Sequence, residues 1–126
     1  MKLKSLYLDE RGTSAIEFAV TAPAFFLILF AIIEGALLLW TQIGLQHGTE
    51  LAARCASVNT SICGSSGAVQ TYAAQQSFAL KPPASIFTVS NPVCGNQVSA
   101  AYTYKFLTSF FGLPSFTIRA QACFPK

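Results

Sequence analysis

A single carboxylate lies at the start of a long apolar run, where lipid makes a charge costly. Glu17 is the fifth residue after Gly12, and residues 18–33 behind it contain no charge. An acid inside a membrane helix is expensive and is usually retained for a task. If the chain is cut after Gly12, the new amine of Thr13 lies about one helical turn from Glu17. The spacing therefore indicates two kinds of chemistry, peptide-bond cleavage and pairing of an amine with a carboxylate.

The segment before Glu17 has the composition of a removable leader. Residues 1–12 contain the basic residues Lys2, Lys4 and Arg11 and end in Gly12. Glycine, an acid at the fifth position after it, Phe18 and an apolar helix together are typical of a prepilin-type processing site. We therefore predict that residues 1–12 are a leader peptide, with Thr13 as the mature N-terminus.

Glu17 has two interpretations. As an assembly residue, Glu17 of an incoming subunit would meet the Thr13 amine of its neighbour, and the cost of an unpaired buried charge would fix the position of the helix. As an ordinary acid at a helix start, it would only favour the positive end of the helix dipole. The second interpretation gives no reason for Gly12, so the first is favoured.

The apolar run is long enough to cross a membrane. Phe18–Trp40 is 23 residues long and contains one ionisable group, Glu34. About 20 apolar residues span a bilayer as a helix, and tryptophan prefers the water interface. The basic leader predicts a cytoplasmic N-terminus. We expect a leader over 1–12, a transmembrane helix over 13–40 and an exported domain over 41–126; a cleaved secretory signal is disfavoured because its apolar region would be shorter.

Two further features of the predicted helix were open to interpretation. Glu34, beside Gly35, either marks the outer membrane boundary or meets a polar partner on another subunit, and the sequence favours neither. Gly44 and Gly48 form a small-x-x-x-small pair, which permits close helix contact but occurs often by chance.

All four cysteines follow the apolar run, which fits an exported domain with two disulfides. Of the three possible pairings we favour Cys55–Cys63, a short local loop, and Cys94–Cys123, which would join two strands. A zinc site is the alternative, but there is no Cys-x-x-Cys pair and His47 is the one histidine.

The periodicity of the chain predicts an α+β fold. A long N-terminal transmembrane helix would extend to about residue 57, with Glu50 and Arg54 spaced to pair, and a short second helix would follow. Alternating apolar residues then predict a three-stranded antiparallel sheet covered by the outer half of the long helix. The expected elements after the long helix are a helix over 68–80 and strands over 85–90, 97–107 and 115–124.

Composition argues against several function classes. The net charge of +3 comes from scattered residues with no basic patch, so no nucleic-acid partner is expected. No paired carboxylates, no serine–histidine–aspartate set and no phosphate-binding loop is visible, so we expect no enzyme, no cofactor and no metal. Aromatic residues could instead form the binding surface of an uncleaved, signal-anchored exported adhesin. The candidates are Tyr72, Tyr102, Tyr104 and the pair Phe110-Phe111. The simpler interpretation is that the tyrosines are core residues and the phenylalanines cap the core.

The N-terminal motif resembles the TadE-like family, small membrane-anchored pseudopilins of the tight-adherence (Tad/Flp) pilus system. Residues 11–23, which read Arg-Gly-Thr-Ser-Ala-Ile-Glu-Phe-Ala-Val-Thr-Ala-Pro, and residues 32–35, Ile-Ile-Glu-Gly, carry the resemblance. Residues 52–54 and 116–122 are also similar to the family.

The resemblance implies a minor component of a thin pilus used in adherence and biofilm formation. It further implies cleavage after Gly12 by a prepilin peptidase of the bacterial inner membrane, with Thr13 as the new N-terminus and Glu17 as the assembly acid. Its expected partners are that peptidase, other Tad/Flp pilins, the inner-membrane assembly platform and membrane lipid. The expected location is a single pass of the inner membrane, with the C-terminal domain periplasmic.

Overall fold

The computed structural model describes residues 13–78, 81–106, 112 and 115–126. Its elements are two α-helices, one short 3-10 helix and three strands, which confirms the α+β class and the antiparallel sheet. In chain order they are α1 (Thr13–Val58), α2 (Ser66–Gln76), a 3-10 turn (Ala84–Ile86), β1 (Phe87–Ser90), β2 (Asn96–Tyr104) and β3 (Phe116–Phe124).

Helix α1 passes through two compact units, which divide between Gly35 and Ala36. In the first unit its side chains are exposed almost throughout, and in the described part of the chain it is the one helix long and apolar enough to cross a membrane. Only 6% of its most apolar stretch is buried, whereas a core helix of a soluble domain would be mostly covered. An apolar, exposed surface of this length is that of a candidate membrane-spanning helix.

The second unit, Ala36–Lys126, contains the rest of α1, the helix α2 and the sheet. α2 begins where Ser65 accepts a hydrogen bond from the Ala68 N–H through its side chain, a typical N-cap. It ends at Gln76, earlier than predicted, because Ser77 leaves the helical conformation and turns both its N–H and its hydroxyl onto the Ala73 carbonyl. Leu80, the predicted end, lies outside the described residues.

The sheet has the order β1-β2-β3, and both pairs are antiparallel. β2 is central, with Ala100 opposite Phe87 on one side and Ala120 on the other. The predicted first strand was too long at its start, because residues 84–86 form the 3-10 turn. The predicted second strand ends at Tyr104, and its expected last residue, Leu107, lies outside the described residues, as do Phe110 and Phe111.

The alternation of apolar residues correctly predicts the inner face of the sheet in its middle. Val98, Ala100, Ile118 and Ala120 are buried, and their neighbours point outward. The alternation is wrong at the ends of β3, where Phe116 is 54% exposed and Phe124 is 36% exposed. A place on the inner face therefore does not guarantee burial at the ends of a strand.

The core of the second unit lies between the sheet, α2 and one face of α1. Leu45, Ala52 and Ala53 of α1 meet Val69 and Ala73 of α2 and the inner residues of the strands. Small residues dominate this face of α1, so the elements approach closely. The outer part of α1 therefore covers the sheet, as the sequence predicted.

Both disulfides of the favoured pairing are present. Cys55–Cys63 closes the loop after α1, and Cys94–Cys123 joins the β1–β2 turn to the end of β3. That turn depends on Gly95, because its φ of +125° favours glycine. A Cβ at this position would also overlap the Phe124 carbonyl oxygen. The second unit is thus closed covalently at the end where α1 stops.

Candidate processing and assembly site

Of the predicted processing residues, one lies outside the described part of the chain. Gly12 is not described, and Thr13 is the first residue of α1. Glu17 lies on the exposed surface of α1, one turn after Thr13. Its backbone carbonyl accepts a hydrogen bond from the Thr21 hydroxyl at 2.8 Å, while its carboxylate has no hydrogen bond or ion pair within the described residues.

Glu17 has two small polar neighbours on its own face of the helix, Ser14 and Thr21, and otherwise lies among large apolar side chains. Ile16, Phe18 and Val20 are each between 67% and 71% exposed. A carboxylate placed among such side chains in lipid has no water to solvate it, so a cationic partner would stabilise it strongly. The geometry therefore leaves Glu17 open to a group from outside the described chain, such as an amine.

Glu34 differs sharply from Glu17. Its side chain is 6% exposed, although the residues beside it on α1 are open, and it is engaged in interactions within the structure. Contacts within the chain therefore bury this side chain, and no second subunit is needed to bury it. Its role in assembly stays a prediction.

Gly44 and Gly48 serve a contact inside the chain. A Cβ on Gly44 would overlap the carbonyl oxygen of Phe78, and one on Gly48 would overlap Ser77 Oγ and lie 2.7 Å from the Ala73 carbonyl oxygen. The end of α2 thus crosses α1 at these two glycines. The small-x-x-x-small pair permits close contact as expected, but its partner is the segment after α2.

Phe78 is held on α1 by two ring contacts. Its ring centroid lies 5.5 Å from that of Trp40, in an edge-to-face arrangement, and 5.6 Å from that of His47. Edge-to-face pairs at this distance stabilise a contact beyond the area they bury. His47 therefore has a packing role, while Trp40 keeps 58% of its surface exposed.

The edges of the sheet are covered by glutamine side chains. On α1, Gln42 Nε2 donates to the Arg119 carbonyl at 2.9 Å and Gln46 Nε2 donates to the Gln121 carbonyl at 3.3 Å, both on the outer edge of β3. On the other edge, Gln70 Nε2 donates to the Phe87 carbonyl of β1 at 2.8 Å. An open edge is a template for pairing with another strand, and these bonds remove acceptors from it.

These glutamines were not identified from the sequence, although a signal was present. Gln42 and Gln46 are four residues apart, so they share one face of α1, beside the face that carries Leu45 and Thr49 into the core. Gln46 also donates to Glu50 Oε1 at 2.8 Å, so the partner of Glu50 in the structure is Gln46, whereas the sequence had predicted Arg54.

The predicted aromatic binding surface is largely absent from the exterior. Tyr104 is 6% exposed, and Tyr72 and Tyr102 are half-buried against the core. The tyrosines are therefore core residues, the simpler of the two interpretations. Phe110 and Phe111 lie outside the described residues.

Among the described residues, two shallow clefts on the surface of the second unit are relevant to binding. One, of about 330 Å³, lies on the outer face of the sheet and is lined mainly by small side chains, together with Ile86, Arg119 and Gln121. The other, of about 290 Å³, lies between α1 and β3 beside Glu50 and Arg54. In the described residues no group of three His, Cys, Asp or Glu side chains could hold a metal ion.

Comparison with known proteins agrees with the N-terminal motif. Residues 12–54 match the family model described as TadE-like protein, which confirms the resemblance over this part of the chain. The match includes Gly12, Glu17, Glu34 and the glycines of α1. No curated protein and no solved structure matches the chain.

Proposed function

We propose, from the match to TadE-like proteins over residues 12–54, that this protein is a minor pilin or pseudopilin. It is anchored by α1 in the bacterial inner membrane, is cleaved after Gly12 and assists assembly of a Tad/Flp-type adherence pilus. The observation that carries the proposal is the exposed acid Glu17, one turn from Thr13 on a bare apolar helix.

The assembly step follows from the cost of that acid in lipid. Cleavage after Gly12 creates an amine at Thr13, and this amine can reach the Glu17 carboxylate of a neighbouring helix. Either charge alone in hydrocarbon is expensive, whereas the pair offsets part of that cost. A subunit is therefore stabilised only when its helix has the correct position beside the neighbour.

The second unit supports an exported location. Its four cysteines form two disulfides, which persist in oxidising compartments such as the periplasm. The basic leader favours retention of the N-terminus in the cytoplasm, where a prepilin peptidase of the inner membrane would cut. The proposed partners are that peptidase, other Tad/Flp pilins and the assembly platform.

The second unit also favours assembly through helices. Gln42 and Gln46 occupy the edge of β3, and Gln70 occupies the edge of β1. Strand addition at these positions would first have to break hydrogen bonds. Helix α1 has an unobstructed apolar surface in its first unit, so it is the natural contact between subunits.

We further propose that the protein is not an enzyme. His47 packs on Phe78, and Glu50 is hydrogen-bonded to Gln46 on the surface. Neither described cleft combines a nucleophile with a base that would activate it.

The decisive experiment is intact mass and N-terminal sequencing of the protein from membranes, with and without an active prepilin peptidase. We expect a chain that begins at Thr13 only when the peptidase is active. Gly12→Ala should block the cut, because the peptidase must approach the backbone there. Gly35→Ala, a glycine of the same helix with open space around it, is the control and should be cut normally. A wild-type chain that retains residues 1–12 beside an active peptidase would instead favour the uncleaved, signal-anchored exported domain.

A further inference from the structure

Exposed apolar and basic residues collect at one end of the second unit, the end at which α1 enters it. On α1, Leu39, Trp40 and Ile43 are between 58% and 61% exposed. Phe78 packs against Trp40 and is 39% exposed, and Phe116 is 54% exposed. Single exposed apolar residues are ordinary, but a cluster of this kind marks an interaction surface.

Hydrogen bonds between α1 and β3 show that Phe116 belongs to this end. Gln42 reaches the Arg119 carbonyl, and Gln46, one turn later, reaches the Gln121 carbonyl. β3 therefore runs in the same direction as α1, and its first residue, Phe116, lies toward the entry of the helix. Tyr104, at the end of β2, is opposite Phe116 in the register.

The same end carries positive charge. Lys105 follows Tyr104 directly, and Lys81 precedes Pro82, which lines a small cavity together with Phe78 and Tyr102. Both lysines are exposed. The one acid in residues 36–126 is Glu50, and it lies beside the end of β3, away from this cluster.

We infer that this end of the second unit is a lipid-contacting surface, seated on the headgroups of the membrane that α1 crosses. Its apolar members would enter the interface, and Lys81 and Lys105 would bind lipid phosphates. The surface consists of Leu39, Trp40, Ile43, Phe78, Lys81, Lys105 and Phe116, and is called here the headgroup surface.

Two observations favour lipid over a protein partner. The predicted span Phe18–Trp40 is 23 residues long, enough to cross a bilayer, so Leu39 and Trp40 lie at its outer end and Ile43 follows within about 5 Å, at interfacial depth. Aromatic rings beside lysines are the side chains that prefer this interface, and lysine is attracted to anionic lipid. The inference rests on the membrane anchor of the proposed function and is independent of cleavage and of the pilus.

The single tryptophan of the chain makes the inference testable with the full-length protein. In a Trp40→Phe background, which keeps an aromatic ring against residue 78, Phe78→Trp and, separately, Phe116→Trp place the fluorophore on the headgroup surface. Val93→Trp is the matched control, because Val93 is fully exposed on the β1–β2 turn at the opposite end of the sheet. Each variant is reconstituted in phosphatidylcholine–phosphatidylglycerol vesicles, with or without lipid brominated near the acyl carbonyl.

We expect the emission of Phe78→Trp and Phe116→Trp to shift to the blue and to lose intensity in brominated vesicles, while Val93→Trp is unaffected. Lys81→Gln with Lys105→Gln should reduce that loss in anionic vesicles. If bromine quenches neither test position more than it quenches Val93→Trp, the inference is overturned. A blue shift without quenching has the same consequence, because it indicates a protein contact in place of lipid. Vesicle flotation separates the hypotheses: a protein that does not float contradicts the anchor itself, whereas one that floats without quenching contradicts only the headgroup surface.

Discussion

Gly44 and Phe78 approach so closely that a single methyl group at position 44 would overlap the carbonyl oxygen of residue 78. The absence of a side chain at Gly44 is therefore what allows the segment after α2 to cross α1. The ring of Phe78 then lies between Trp40 and His47 on the same helix.

Gly44→Ala should destabilise the second unit by about 1–3 kcal/mol, the usual cost of overpacking a tight contact. The measurement is thermal unfolding of the full chain in detergent, followed by near-ultraviolet circular dichroism. Gly67→Ala is the matched control, because Gly67 is also helical but has open space around it. The control should be neutral or stabilising, since alanine is the better helix former. Equal melting temperatures for Gly44→Ala and wild type would contradict the close crossing.

Gln42→Ala should destabilise the second unit by about 0.5–1.5 kcal/mol, because the Arg119 carbonyl loses its donor. Gln42→Glu should cost more, since a carboxylate cannot donate to that carbonyl and would repel it. Gln75→Ala, an exposed glutamine of α2, should have little effect. The same unfolding assay ranks the three variants. A Gln42→Glu protein as stable as wild type would show that the edge of β3 does not depend on this bond.

Removal of the disulfide between Cys94 and Cys123 should lower stability substantially. The bond closes a loop with a sequence separation of 29 residues, for which chain entropy gives about 3.6 kcal/mol. The double change to serine should therefore lower the melting temperature markedly, and reductant should then destabilise the variant less than it does wild type. Cys55–Cys63, with a separation of 8, should contribute less, about 2.5 kcal/mol in the same account. A larger loss for the shorter loop would contradict this ranking.

Glu17→Ala should leave membrane insertion and cleavage intact but strongly reduce piliation. An alanine removes one partner of a buried pair, and the amine left behind costs about 3–5 kcal/mol. Pili are counted by electron microscopy, and cleavage is followed by intact mass. Glu50→Ala removes an exposed acid of the second unit and should assemble normally. Wild-type numbers of pili in the Glu17→Ala strain would remove the assembly role of this acid.

Much of the architecture could be predicted because it depends on local patterns. The length and apolar composition of residues 18–33 predict a helix that could cross a membrane, and the alternation over residues 98–102 and 118–122 predicts which face of the sheet is buried. The even number of cysteines after the apolar run predicted two disulfides. The motif from Arg11 to Pro23 carried the resemblance to the TadE-like family. Each of these signals lies within a short stretch of chain and needs no knowledge of distant neighbours.

The tertiary structure decided which residues meet across the fold. Gly44 and Gly48 had the spacing of a helix contact, but only the fold shows that Phe78 and Ser77 occupy it. Gln42 and Gln46 looked like surface residues until the edge of β3 came to lie beside them. Phe116 is 54% exposed despite its place in the alternation, because burial depends on which elements pack over a strand. Such contacts join residues more than 25 positions apart, and their partners depend on how the elements pack, which periodicity within one element does not contain.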